Sequence, residues 1–452
     1  MKQPNASRHG HAPAASGPGR LGSAFWLRFK KQQWEKRPTL FRDLFSPPLI
    51  TAEESFDAVV DACEQYRRGH ADVPLRFYLD EGQFASNPDK YLPEVSDGSP
   101  TRYAQRLGRM TGRRPFALII REIQAHNFSM WWKLREFLHE FYVTTGIPLQ
   151  DARATLFFGN YAKTPVGLHR GSSSNFKFII LGRKRMRLWP DKYFRGKAEA
   201  DHCLDYERYG RAGKSLAGRA GDVIYWPSDC WHVGENIGGL ALSISLALFV
   251  KDPLFLERDI WEQASRRTAA RVGRSRTPAS NPEKVNRDIS AMPKLLRQCQ
   301  TGFAETAGSP EMAETLKARW LNRASSLGFT SMPAPPPIGR LTNDERVTAD
   351  KAFPILWSAG CDHEIICSAN GHSFSLPAHP RVLHLFRVLN RGGTHRVREL
   401  MAKHAGTAAI DGCEFEATPA DIRHILEKLY QLRAVQVVTS AERSKTRPRP
   451  KK

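Results

Sequence analysis

His169 and His232 border two runs, "NFKFIILG" (175–182) and "DVIYWP" (222–227), that have the apolar, β-branched and aromatic texture of short strands. Two imidazoles brought together from neighbouring strands of a small barrel give a divalent metal two nitrogen ligands. A non-haem iron centre usually adds one carboxylate on the same face and leaves its other positions open to cosubstrate and oxygen. A lone histidine beside an apolar strand is more often structural than a ligand, so neither residue decides the matter alone. Lys184 sits in the basic run "RKRMR" (183–187), where the default is an exposed turn lysine, and Asp222 is placed to serve the tight turn before its strand. Cys230, beside Trp231 and His232, reads as a small apolar packer.

Taken together these stretches carry a longer pattern. "GLHRGSSSNFKFIILGRKRMRLWP" (167–190) and "GDVIYWPSDCWH" (221–232) resemble the core of the JmjC-type cupin 2-oxoglutarate oxygenases, above all the protein hydroxylases that include the hypoxia-factor asparaginyl hydroxylase and the bacterial ribosomal oxygenases. In that family a histidine opens an HxD or HxE motif. An Asn-Phe pair follows at six and seven residues, and a G-x-K-R turn at thirteen to sixteen. His169, Asn175-Phe176 and Gly182-Arg183-Lys184-Arg185 fall at those offsets without a gap, and the second block matches the family's "GDVLYIP…WWH" run. The resemblance implies that His169 and His232 bind Fe(II) and that Lys184 pairs with the distal carboxylate of 2-oxoglutarate. It further implies that Asn175 orients that cosubstrate, with Thr164 and Ser245 as hydroxyl contacts at its ends. The implied reaction is oxidative decarboxylation of 2-oxoglutarate to succinate coupled to hydroxylation of a polypeptide side chain.

The pattern departs from the family at Gly171, which stands where HxD carries its carboxylate. Glycine cannot ligate, and Ser172, Ser173 and Ser174 offer only weak neutral oxygens. Three explanations compete. Water or chloride fills the position, as in distant halogenating relatives with HxG or HxA, and chlorination then becomes an alternative to hydroxylation. A carboxylate from elsewhere swings in, Glu235 being nearest in sequence. Or the metal site has decayed and leaves a peptide- or nucleic-acid-binding module. Loss of an anionic ligand raises the net charge of the site and favours an anion in the gap, so a working site with an open position is the preferred expectation.

The elements that must position these residues follow from texture. A small, polar, Gly/Pro-rich start (1–24) predicts disorder, and residues 25–250 predict the oxygenase domain. Within it, a polar helix runs from Thr51 to about Arg68, "RRPFALIIREI" (113–123) holds a buried strand, and residues 128–146 form an apolar-striped helix stopped by Gly146. From about 153 to 250, short apolar runs broken by turns predict an antiparallel sandwich or barrel. The expected class is α+β: a double-stranded β-helix (jelly roll) of the JmjC/cupin kind with flanking helices. A helical segment (251–330), a dimerisation element in the resembling proteins, is followed by a Pro-dense linker (331–340) and a winged-helix-like unit (341–440) whose third helix starts at Thr418-Pro419. A basic tail (441–452) ends the chain.

Sixty-eight Lys and Arg against forty-six Asp and Glu give a formal charge of +22, which favours acidic partners such as nucleic acid or the ribosome. Arg381, Arg387, Arg391, Arg396, Arg398 and Lys403 make the winged-helix-like unit basic, although peptide docking ranks above DNA binding there for want of a base-reading helix. Seven scattered cysteines without a CxxC pair exclude a disulfide framework and predict a reducing cytoplasm. No run of roughly 20 apolar residues is present to span a bilayer. The resemblance implies a polypeptide substrate (a ribosomal protein or a modified peptide) and a second copy of the chain as partners, and no membrane is expected.

Overall fold

The computed structural model describes residues 20–70, 73–80, 83–197, 200–250, 254–272, 294–337, 339–361, 363–410 and 413–438. It is a mixed α/β protein whose chain divides into two compact units, 1–251 with 326–336 and 252–325 with 337–452.

The first unit opens with four helices threaded between short strands. Helix α1 (Gly22–Gln32) starts ahead of the expected boundary at 25, because Glu140 accepts from the Leu21 amide and the Trp26 indole and so fixes the start of the helix. Residues 1–19, also expected to be disordered, lie outside the described residues. Strand β1 (Thr39–Phe41) precedes α2 (Ala52–Arg67), which begins where Thr51 and Glu54 close a capping box. Strands β2 (Leu75–Leu79) and β3 (Gln83–Phe84) lead to α3 (Pro100–Thr111), β4 (Phe116–Arg121) and α4 (Phe128–Thr145). Helix α4 is capped by Asn127 and ends at Gly146, whose φ of 85° suits only glycine.

Eight strands follow: β5 (Ala152–Gly159), β6 (His169–Arg170), β7 (Ser174–Leu181), β8 (Arg183–Trp189), β9 (Lys214–Arg219), β10 (Val223–Trp226), β11 (Trp231–Asn236) and β12 (Ala241–Leu248). They pair antiparallel into a large sheet, β1-β10-β7-β12-β5-β4-β2-β3, and a small one, β6-β11-β8-β9. The chain passes from the large sheet to the small one at Gly182 (φ 71°), where an added Cβ would lie 2.2 Å from the Leu240 carbonyl.

Strand β7 explains why the sheet holds its place. Side chains alternate across a strand, so Phe176 and Phe178 point one way while Asn175 and Lys177 point the other. The phenylalanines pack on α1 and α4, Phe176 at ring-centroid distances of 5.1 Å from Phe137 and 5.4 Å from Phe29. Each fully buried phenylalanine in that layer contributes roughly 2 kcal/mol. The opposite face of β7 turns to a cavity walled on its far side by the small sheet.

The second unit contains α5 (Leu254–Val272), α6 (Lys294–Ala307) and α7 (Pro310–Ser326), with Trp261 of α5 against Phe303 of α6 at 4.4 Å. Beyond them come β13 (Arg346–Ala349), β14 (Leu356–Ala359), β15 (Glu364–Ala369), β16 (His372–Pro377), α8 (Pro380–Asn390), β17 (Thr394–Arg396), α9 (Val397–His404), β18 (Gly406–Ile410), β19 (Cys413–Ala417), α10 (Pro419–Gln431) and β20 (Val435–Val437). Thr418 caps α10 through a box with Asp421. Ile422, Ile425, Leu426 and Leu429 on its buried face join Leu385, Phe386 and Leu400 in one core. The expected linker 331–340 is divided between the units: Ser331 packs with the first, its carbonyl accepting from Gln124 Nε2 and its hydroxyl meeting Glu122, and residues from 337 onward belong to the second. The basic stretch that begins at Arg266 enters α5 and passes out of the described residues after 272, and the basic tail (441–452) lies outside them. Among the described residues no helix is long and apolar enough to cross a membrane.

Candidate active site

A cavity of about 290 Å³ lies between the two sheets of the first unit, and Thr164, His169, Gly171, Asn175, Lys184, His232 and Ser245, the residues that the resemblance assigns to the site, all line it, whereas Glu235, Asp222 and Cys230 do not. The pairing of β6 with β11 sets His169 directly opposite His232, and their ring centroids stand 4.3 Å apart. His169 Nδ1 lies 3.0 Å from the Gly167 carbonyl and His232 Nδ1 3.1 Å from the Cys230 carbonyl. A carbonyl only accepts, so Nδ1 carries the hydrogen in both rings and Nε2 keeps its lone pair. Burial lowers the pKa of His169, and it takes that of His232 well below the ordinary value, with repulsion from His169 adding to the effect. Both imidazoles are therefore neutral and oriented as metal ligands are.

Lys184 is no exposed turn lysine. On β8 the arginines 183, 185 and 187 alternate outward while Lys184, Met186 and Leu188 face in, and Lys184 is 1% exposed. Its Nζ donates to the Tyr161 hydroxyl at 2.7 Å. Burial, then repulsion from Lys177, pushes its pKa well below the usual lysine value. Among the described residues, Thr164 Oγ1 is buried with no hydrogen-bond partner, as is the indole nitrogen of Trp226, whose ring lies 5.0 Å from that of His232. Orphaned buried polar atoms facing a cavity are what a bound polar ligand would satisfy. Asn175 lines the same space, but its amide nitrogen is spent on Ser173, donating to the backbone carbonyl at 2.9 Å and the hydroxyl at 3.1 Å, so only its carbonyl oxygen remains for a ligand.

At Gly171 the structure shows more than a missing ligand. An added Cβ would come 2.8 Å from His232 Cε1 and 3.4 Å from its Nδ1, so the histidine ring leans into the space where a side chain would begin. The expectation that Glu235 swings in is corrected. Along β11, His232 and Gly234 face the cavity, whereas Glu235 shares the opposite face with Val233 and Trp231, which pack against Tyr206 and Phe194. Its carboxylate accepts from Arg187 Nε (2.6 Å), Tyr206 (2.8 Å) and Arg185 Nη1 (3.1 Å). Burial pushes that carboxyl up, but these hydrogen bonds, Arg187 first, bring it below its ordinary value. Among the described residues no group of three or more His, Cys, Asp or Glu could hold a metal ion. Asp222 does serve its turn, accepting from the Arg219 and Asp43 amides, and Cys230 is buried beside Trp226 and Ile224.

Sequence reasoning missed Lys177. The residue is 4% exposed, and its Nζ donates to Ser245 Oγ at 2.8 Å and lies 4.3 Å from the Phe157 ring centroid. Burial pushes its pKa down to about 7. The signal was present: in "NFKFIILG" an alternation of two places residue 177 on the same face as Asn175. Tyr161 and Trp226 carried no comparable signal.

The two neutral imidazoles fit a divalent metal whose remaining positions are filled by oxygens of a ligand, and Lys184, Tyr161 and Thr164 fit the carboxylate end of such a ligand.

No protein-family model and no curated protein sequence matches the chain. Among solved structures, it is similar to the ribosomal oxygenase YcfD from Escherichia coli, at 13% identity and a TM-score of 0.49 over 94% of this chain and 100% of that one. It is similar also to YcfD in complex with cobalt and 2-oxoglutarate, at 14% identity and a TM-score of 0.47 over 92% of this chain and 98% of that one. At that depth of similarity the reading of the site rests on this chain's own residues.

Proposed function

We propose that the chain is an Fe(II)- and 2-oxoglutarate-dependent oxygenase acting on a polypeptide side chain, with hydroxylation as its reaction, and that its facing sheets are a cupin-type double-stranded β-helix. The observation that carries this reading is the pair of Nδ1-anchored imidazoles, 169 and 232, in one cavity with the buried ammonium of Lys184. When bound, the metal and 2-oxoglutarate supply the oxidative decarboxylation that activates oxygen against a C–H bond. The chain's own residues do the rest. His169 and His232 hold the metal through Nε2. Lys184 holds the distal carboxylate of the cosubstrate, helped by the Tyr161 and Thr164 hydroxyls. Tyr161, whose pKa burial raises, stays a neutral donor. The apolar side chains of Phe157, Met186 and Trp226 exclude bulk water around these groups.

Arg76, Arg121 and Arg170 stand exposed around the cavity and supply a basic approach for substrate. The second unit reads as a three-helix segment, α5 to α7, followed by a winged helix. We assign the winged helix to docking of the polypeptide, with nucleic acid or the ribosome as the alternative partner of its basic helices. Exposed Trp261, Leu296 and Trp320 support pairing of two copies through the helical segment.

The test is anaerobic titration of the metal-free protein with Fe(II) and 2-oxoglutarate. A visible charge-transfer band that needs both additions is expected, and its absence at every concentration overturns the reading in favour of a binding module. Gly171 supports a second reading, chloride in the open position and chlorination of the substrate. A chloride-dependent shift of that band is its signature.

A further inference from the structure

Lys177 has no role in the scheme above, yet it occupies the same cavity as the groups that do. It reaches in from the large sheet, while Lys184 reaches in from the small sheet, two residues beyond the corner at Gly182. An ammonium has three donors. Lys177 places one on Ser245 and Lys184 one on Tyr161, and both acceptors are neutral hydroxyls. Among the described residues the cavity lining contains no aspartate or glutamate. Two buried like charges with no counter-ion are costly, and a site built this way lacks two negative charges. Their positions on opposite walls call for separated charges rather than one compact anion. The depressed pKa values of both lysines express the same deficit.

We propose that Lys177 and Lys184 form a two-ended anion clamp that binds a short dicarboxylate across the cavity, one carboxylate at each ammonium, whether or not a metal is present. For Lys184 this rests on the cosubstrate site proposed above. Lys177 is new to it, and takes over at the second carboxylate part of the anchoring that a complete metal centre would provide. The ligand class is a dicarboxylate of the size of succinate or 2-oxoglutarate.

Calorimetric titration of the full chain in EDTA tests the clamp, with succinate, 2-oxoglutarate, butyrate and inorganic phosphate as probes. Both dicarboxylates are expected to bind without metal, and butyrate about tenfold or more weaker, because it leaves one buried ammonium unpaired. Lys177→Met is expected to lose about tenfold or more in dicarboxylate affinity while leaving butyrate binding little changed, and Lys177→Arg to recover most of the loss. A fold defect would lower binding of every probe and would not be rescued by arginine. Binding of dicarboxylate only after Co(II) is added overturns the clamp and leaves the oxygenase reading standing. Binding in EDTA with no response to Co(II) or Fe(II) supports the clamp and removes the oxygenase. Butyrate or phosphate binding as tightly as succinate, or an unaffected Lys177→Met, overturns it as well.

Discussion

The two walls of the cavity are built on different terms. The small sheet contributes His169, Gly171, His232 and Lys184, three of them chemically distinctive residues fixed by strand register and by short backbone hydrogen bonds. The large sheet contributes Lys177, Ser245 and Thr155, which lie side by side on β7, β12 and β5 in one cross-strand row that ends at exposed Arg121 on β4. The first wall presents neutral ligands and one cation. The second runs a polar ladder from a buried ammonium out to an exposed arginine. A metal is served by the first wall alone, whereas an anionic ligand draws on both, so the two can be broken separately.

The sharpest break removes a metal ligand. His232→Ala is expected to weaken Co(II) or Fe(II) binding by about a hundredfold or more, since a ligand lost costs at least what losing its orienting partner does. Dicarboxylate binding in EDTA should survive in the same variant. Metal titrations followed by the d–d bands of Co(II) measure the first, and calorimetry the second. If both fall together, the walls are one site and the comparison fails.

Gly171→Asp probes the same wall more gently. Were the glycine only a deleted ligand, aspartate would restore a three-ligand centre and tighten metal binding. The His232 ring already stands 2.8 Å from the new Cβ, so aspartate has to push it off its hydrogen bond to the Cys230 carbonyl. Overpacking of this kind costs typically 1–3 kcal/mol, or about thirtyfold in affinity at the middle of that range. Weaker metal binding is therefore expected, and tighter binding would show that the ring relaxes freely and that the open position is an accident.

What the sequence disclosed follows the same division. His169, Asn175, Lys184 and His232 were legible because together they fall at the offsets of a motif the sequence resembles, although none of them decided the matter alone, and the β6–β11 register then sets His169 opposite His232. The helices α2, α4 and α10 were legible from Thr51, Gly146 and Thr418, since capping chemistry is local. Lys177 shared the legible face of Asn175, but its role was not legible because that depends on Ser245 and Phe157, some seventy and twenty residues away. Glu235 misled for the converse reason. It is three residues from His232, but an odd step along a strand places it on the far side, where Arg185 and Arg187 hold it. The return of Ser331 to the first unit depends on a hydrogen bond from Gln124 that no local pattern announces.

The smallest expected effect separates the walls by pH instead of by ligand. Lys177 titrates at about 7 in the folded chain, against an ordinary value of 10.5. Below about pH 7 both folded and unfolded chains carry the proton, and the folded state bears the full cost of a buried charge. Between about 7 and 10.5 the unfolded chain holds a proton that the folded chain has released, so this residue's contribution to stability improves as pH rises. Methionine does not titrate. Lys177→Met should thus stabilise the metal-free protein by on the order of 1 kcal/mol near pH 6.5 and by progressively less toward pH 9.5. Lys184, His169 and His232 share the cavity and are each lowered in part by Lys177, so methionine also relieves that repulsion, which acts in the same direction and favours the variant most at the acidic end. Urea unfolding across that range measures it. Succinate should erase the advantage at the acidic end by pairing the ammonium, and a stabilisation indifferent to both pH and succinate would mean that Lys177 carries no buried charge.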